Sequence, residues 1–216
     1  KIVEDPLRIL RAIRFACVLG FSIDSELDSA IKNNNYRVSK LSYFRKKQEL
    51  NKIFNSPNIK RGIELLKQYN LLEYLDIQVD QVISSSNFGI WAQIKYSPQY
   101  PFSKYEQESI EKIRMLIAKG EISNYDLYLC GMDVGLIAGE ILKIEPNNIR
   151  KRYLELPIKS RNEINVSYND IVKYNKINAN VIYSILEEKI LNNHLKNDNK
   201  DIVNYLEKLA SNDIDK

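Results

Sequence analysis

The sequence predicts an all-α fold, and two observations carry that expectation. Only 7 Gly and 6 Pro occur among 216 residues, too few for the closely spaced turns of a sandwich or barrel. Segment after segment instead places apolar residues at helical spacing and closes on Gly, Asn or Pro.

The first helix starts at Asp5 as N-cap with Pro6 at the first helical position, where a missing N–H costs nothing, and runs to about Leu19 before Gly20. Asp24-Ser25 opens a second helix, about Ser25 to Asn33, which the Asn33-Asn34-Asn35 run ends. From Leu41 to Phe54 an apolar stripe of Phe44, Leu50, Ile53 and Phe54 opposes Arg45, Lys46, Lys47 and Lys52, which read as a solvated face. Asn55-Ser56-Pro57 is a break, and the segment Ile59 to Leu72 repeats apolar residues at Ile63, Leu65, Leu66, Leu71 and Leu72. The stretch 78–90 has no clear period and is interrupted by Ser84-Ser85-Ser86-Asn87. Trp91, Tyr96, Tyr100 and Phe102, interleaved with Pro98 and Pro101, predict a packed loop rather than a base-stacking surface. A helix then covers about Lys104 to Lys119 and closes at Gly120. Further helices are expected over 124–132, 134–143, 146–154, 178–192 and 199–210, with a short extended piece inside Leu156–Val166.

Hydrophobic residues make up 44% and charged residues 28%, the balance of a soluble globular protein. No apolar run approaches the roughly 18 residues of a membrane span. The net charge of +4 is compatible with RNA binding without establishing it. Cys17 and Cys130 sit among apolar neighbours, as buried free thiols of a reducing cytoplasm do. The single His194 has no second ligand at metal spacing.

Asp5, Arg8, Arg11 and Arg14 recur every third residue. On an α-helix they form one slanting row about 14 Å long, the reach of a nucleoside triphosphate. A carboxylate only accepts hydrogen bonds and a guanidinium only donates them. One Asp with one Arg therefore complements cytosine or adenine, each of which offers an amino donor beside an acceptor. Uracil and guanine place their groups wrongly and leave buried polar atoms unpaired, at about 1–3 kcal/mol each. The same residues also fit a plain cap followed by arginines that are solvated or paired with helix carboxylates.

The string EDPLRILRAIRFACVLGFSID, Glu4–Asp24, resembles the opening of the neck of class II tRNA nucleotidyltransferases, the CCA-adding enzymes and their poly(A) polymerase relatives. Glu4, Asp5 and Arg8 fall on the family's E-D-x-x-R element, whose Asp and Arg act as an amino-acid template for the incoming base. Arg11 and Arg14 match further arginines around the bound nucleotide. SYFRKKQELNKIF, Ser42–Phe54, is similar to a second segment through Arg45, Glu49, Leu50 and Lys52, with Phe44 where Glu is usual. LPIKSRNEINVSYND, Leu156–Asp170, resembles the C-terminal region of Bacillus-type enzymes, with Tyr168 where Gly is common and a positive φ would be strained.

The resemblance implies an elongated multi-helix arrangement of neck (1–56), body (57–120) and tail (121–216). It implies CTP and ATP as substrates and tRNA as partner, held by its acceptor and T-arm. Arg150, Lys151, Arg152, Lys159 and Arg161 are then candidates for phosphate contact. In the family, Mg2+ is bound by a head domain bearing G-G-x-x-R-D and D-x-D, and nothing here matches that pattern. The chain is therefore expected to be the C-terminal part of a larger cytoplasmic enzyme, inactive by itself and without a metal site. A poly(A) polymerase or A-adding enzyme, a non-catalytic helical tRNA-binding module and a protein-interaction domain remain alternatives.

Overall fold

The computed structural model describes residues 2–173 and 178–212, and its chain divides into two units, Lys1–Ala118 and Lys119–Lys216. Both are helical, as the sequence predicts; among the described residues the strands are one antiparallel pair of two residues each.

In the first unit, helix α1 spans Leu7–Leu19. Pro6 already has helical angles (φ −61°, ψ −19°), and the Asp5 carboxylate accepts from the Leu7 N–H at 3.2 Å. The capping chemistry thus sits where the sequence places it. Gly20 closes α1 at φ 70°, a left-handed conformation that a Cβ would strain. Helix α2, Ser25–Asn34, is capped by Asp24 and ends within the asparagine run, where a 3-10 turn, Asn35–Lys40, takes over. Helix α3, Tyr43–Phe54, follows the Ser42 cap. The apolar segment expected to run to Leu72 is split into α4, Ile59–Gln68, and α5, Leu71–Tyr74, by Asn70 at φ 53°.

Strand β1, Ile77–Gln78, pairs with β2, Lys95–Tyr96, and helix α6, Asn87–Gln93, lies between them in sequence. Helix α7, Lys104–Lys119, matches its expected bounds. Leu7, Ile9, Leu10, Ile13, Ala16 and Cys17 bury one side of α1 against α3 and α4. Gly62 permits that approach, because a Cβ there would lie 2.7 Å from Ile53 Cγ2 and 3.2 Å from Cys17 Sγ. Burial pushes the Cys17 thiol up, and its S–H donates to the Ile13 carbonyl at 2.7 Å.

The aromatic cluster is core. Trp91 is buried among Phe54, Tyr96, Tyr100 and Phe102, its indole N–H donating to Asn51 Oδ1 at 2.8 Å. Arg114 stitches this layer by donating to the carbonyls of Trp91, Ala92 and Ile94.

The basic face of α3 departs from expectation, since Arg45 and Lys52 are exposed but Lys46 and Lys47 are buried. Lys46 is 1% exposed, with its ammonium 3.5 Å from Asp76 Oδ2 and 4.5 Å from the Tyr43 ring centroid. Lys47 donates to both Glu106 oxygens, at 2.8 and 2.9 Å, and to the Pro101 carbonyl. Their stems fill the interior while each cation finds an acceptor, so a charge run that looks solvated is structural.

In the second unit, α8 (Asn124–Cys130), α9 (Met132–Ile141) and α10 (Pro146–Leu154) pack together, and α12 (Ala179–Leu191) covers α8. Ser123 and Asp126 form a reciprocal capping box, and Lys119 adds an ion pair to Asp126 at 2.6 Å. The extended piece expected within 156–166 is instead a loop with a 3-10 turn, Arg161–Glu163, anchored by buried Ile158 and Ile164. Tyr168 opens α11, Tyr168–Lys173, and is not among the positive-φ residues, so no strain attaches to it. Helix α13 spans Asn199–Asn212.

Candidate nucleotide and RNA interface

Burial of the Leu7-Leu10-Ile13 side of α1 turns the arginine row outward. Arg8 and Arg11 are exposed and make no side-chain hydrogen bond or ion pair among the described residues. The two ends of the row are held. Asp5 Oδ1 accepts from Leu7 N–H and, at 3.4 Å, from Arg45 Nη2 of α3. Arg14 Nη1 donates to Glu49 Oε2 at 2.9 Å, and its guanidinium lies 4.5 Å from the Phe15 ring centroid. The second Glu49 oxygen takes Lys52 Nζ at 3.0 Å.

Arg45 and Glu49 lie four apart on α3 and therefore share a face. That face grips the acidic start and the third arginine of the row while leaving the middle two free. Pairing with a helix carboxylate, one of the open alternatives, thus applies to Arg14 and not to Arg8 or Arg11. Among the described residues Asp5 Oδ2 has no partner, so one carboxylate oxygen stays available at the start of a row that also carries two free guanidiniums. Glu4 is exposed just before the row. The clamp of Arg45 and Glu49 is the feature that reading α1 alone misses; their four-residue spacing is its signal.

The basic residues of the second unit fall into two groups. Arg152 donates to Asn124 Oδ1 at 3.0 Å and to the Ile122 carbonyl at 2.7 Å. Arg161 donates to both oxygens of buried Glu187, at 2.8 and 3.2 Å, and stands over the Tyr183 ring. Glu187 also accepts the Tyr128 hydroxyl, whose pKa burial and that carboxylate push up to about 12. These two arginines brace the unit internally. Arg150, Lys151 and Lys159 are exposed, and among the described residues only Arg150 of the three makes a side-chain bond, a 3.4 Å contact with Asn147.

No group of three or more His, Cys, Asp or Glu side chains suited to a metal ion occurs among the described residues. The donor set does not fit magnesium, and none of these residues is assigned to it. No helix among the described residues is long and apolar enough to cross a membrane.

Residues 20–78 match the family described as "Probable RNA and SrmB- binding site of polymerase A". Over 242 residues the chain is 26% identical to the CCA-adding enzyme of Bacillus cytotoxicus, covering 94% of this chain and 61% of that protein. It is 24% identical over 235 residues to the CC-adding tRNA nucleotidyltransferase of Halalkalibacterium halodurans, covering 94% of this chain and 62% of that one. Its fold matches the crystal structure of the Bacillus stearothermophilus CCA-adding enzyme in complex with CTP, with a TM-score of 0.84 at 19% identity over 99% of this chain and 64% of the other. The chain thus spans 61% of the length of the Bacillus cytotoxicus relative. Along nearly its whole length the chain is thus similar in sequence to CCA-adding and CC-adding tRNA nucleotidyltransferases, and it shares the fold of one of them.

Proposed function

We propose that this chain is the base-selecting and tRNA-holding part of a CCA-adding tRNA nucleotidyltransferase. The observation that carries the reading is the pairing of a half-held Asp5 with a free Arg8 on one exposed helical row. Asp5 Oδ2 accepts the exocyclic amine of cytosine or adenine. Arg8 donates to the neighbouring ring nitrogen or carbonyl. A keto base in the same place sets oxygen against carboxylate and leaves both groups unpaired. Arg11, and Arg14 in its grip with Glu49, extend the row towards sugar and phosphates, and Glu4 flanks its start.

Magnesium and the transfer step belong, in this reading, to a head domain of the full-length enzyme. Residues 57–120 act as body and 121–216 as tail, holding the acceptor and T-arm by shape and phosphate contact, as A-form RNA is mostly held. Arg150, Lys151 and Lys159 are the better phosphate candidates. Arg152 and Arg161 reach RNA only by giving up internal partners. A cytoplasmic setting goes with tRNA as substrate.

The test is incorporation by the full-length protein on tRNA lacking its 3′ end, with each labelled NTP alone and all together. Ordered CTP then ATP addition that stops after CCA supports the reading. Arg8→Ala should lower CTP-over-UTP discrimination at least about tenfold; unchanged discrimination refutes the template role. The CC-adding relative favours a second reading, in which one protein adds C and another adds A. Addition of C alone would select it, A alone or an unbounded tail would select the A-adding or polyadenylating version, and no addition would leave a binding module.

A further inference from the structure

The RNA-binding segment 20–78 carries ten lysines and arginines in sequence, and the fold commits most of them to internal partners. Lys32, Arg45, Lys46, Lys47, Lys52 and Arg61 each face a carboxylate: Asp28, Asp5, Asp76, Glu106, Glu49 and Glu64 respectively. Lys67 donates to the Asp80 carbonyl. Arg37, Lys40 and Lys60 are left without a carboxylate partner among the described residues. Lys60 stands on α4, whereas Arg37 and Lys40 share the 3-10 turn Asn35–Lys40 with Tyr36, a residue 45% exposed.

That turn is a built feature and not a loose loop. Buried Val38 anchors it, and Asn35 Nδ2 donates to the Tyr69 carbonyl at 3.0 Å. The Asn35 side chain also accepts from Tyr36 N–H at 2.7 Å, and Ser39 Oγ closes onto the Tyr36 carbonyl at 2.7 Å. The Arg37 guanidinium is steered by Asn34 Oδ1 and lies 5.4 Å from the centroid of the Tyr36 ring. An exposed aromatic ring, a cation stacked beside it and a second cation three residues on make the combination that takes single-stranded RNA: a π-face for a base and charges for the adjoining phosphates.

The geometry points to the turn Asn35–Lys40 as an RNA contact, with Arg37 and Lys40 on backbone phosphates and an unpaired base against Tyr36. This rests on the proposal that the chain holds tRNA and adds a site on the first unit, built from residues outside the base-selecting row. Cations already paired inside the fold would have to break those pairs to bind phosphate, whereas neither of these two has a carboxylate partner to give up among the described residues.

The test is equilibrium binding of this 216-residue chain to a tRNA transcript lacking its 3′ CCA, across a salt series, with helicity checked for every variant. Arg37→Gln with Lys40→Gln should reduce the slope of log K against log salt by about two. Tyr36→Ala should weaken binding about tenfold, with Tyr36→Phe restoring it. Lys104→Gln, at an exposed position on α7, controls for bulk charge. Wild-type binding that all three turn variants leave unchanged overturns the site and spares the tRNA-holding reading. A slope change for Lys104→Gln equal, per charge removed, to that of the Arg37→Gln with Lys40→Gln variant also overturns it, as unspecific attraction. No tRNA binding by the wild-type chain overturns both.

Discussion

Glu49 is the residue on which the arginine row leans hardest, and neutralising it measures how much that support contributes. Its side chain is 3% exposed and receives Arg14 at 2.9 Å and Lys52 at 3.0 Å. Glu49→Gln keeps the shape, removes the charge and leaves one amide oxygen to accept. Breaking a fully buried ion pair costs about 3–5 kcal/mol. Arg14 is 19% and Lys52 53% exposed, so water recovers part of that loss. The expected destabilisation is about 2 kcal/mol. For a unit the size of Lys1–Ala118 that corresponds to a fall in Tm of about 8 °C. The single Trp, Trp91, is buried in this unit, so tryptophan fluorescence follows its unfolding and not that of the second unit. A double-mutant cycle with Arg14→Gln should give a coupling of about 1 kcal/mol or more. Glu49→Gln within about 0.5 kcal/mol of wild type, or strictly additive single variants, would refute the claim that the pair is stabilising.

Two more outcomes follow from the packing and the charges. Gly62→Ala places a Cβ 2.7 Å from Ile53 Cγ2, a contact that overpacking penalises by about 1–3 kcal/mol against a helix-propensity gain of about 1. The urea midpoint followed by Trp91 should fall, and an unchanged or higher midpoint would show that α4 can shift freely. Asp126 contributes to the acid sensitivity of the second unit. Burial alone would raise its carboxyl, but Lys119 and the Ser123 N–H and hydroxyl outweigh it and hold it below the ordinary 3.8. A depressed folded pKa means that the stabilisation is complete above that ordinary value and disappears as pH falls through the lowered one. Asp126→Asn should therefore be less stable than wild type near neutrality, with the gap closing in acid. Far-UV melts across that range check it, and a gap independent of pH refutes it.

Helix starts were legible wherever the signal is local. Asp5-Pro6 and Asp24-Ser25 stand where the structure caps α1 and α2, because a cap needs only a side-chain acceptor and the next few N–H groups. The split at Asn70 and the β1–β2 pair were not legible. A left-handed asparagine and a two-residue ladder depend on what packs around them. The row on α1 was visible from its spacing alone, but which of its members are free was not. Arg14 finds Glu49 35 residues away, and Lys47 finds Glu106 59 away. Periodicity within one helix carries no information about such partners, which is why Lys46 and Lys47 looked solvated and are buried.

One face of α1 carries stability, and the other carries the row proposed to select the base. Fully burying Leu7, Ile9, Leu10 and Ile13 contributes about 1.5–3 kcal/mol for each side chain. The half-exposed Asp5–Arg45 pair contributes less than about 1 kcal/mol. Apolar packing against α3 and α4 therefore holds the helix in place, and the polar row inherits its position from that packing. Arg8 and Arg11 touch none of it. Changes at these two residues accordingly leave the fold intact, and a loss of base discrimination in such variants is a loss of recognition rather than of structure. Glu49 is the exception. It is buried beneath the row and paired to it, so its replacement acts on both at once, and only its separately measured stability cost can divide the two effects.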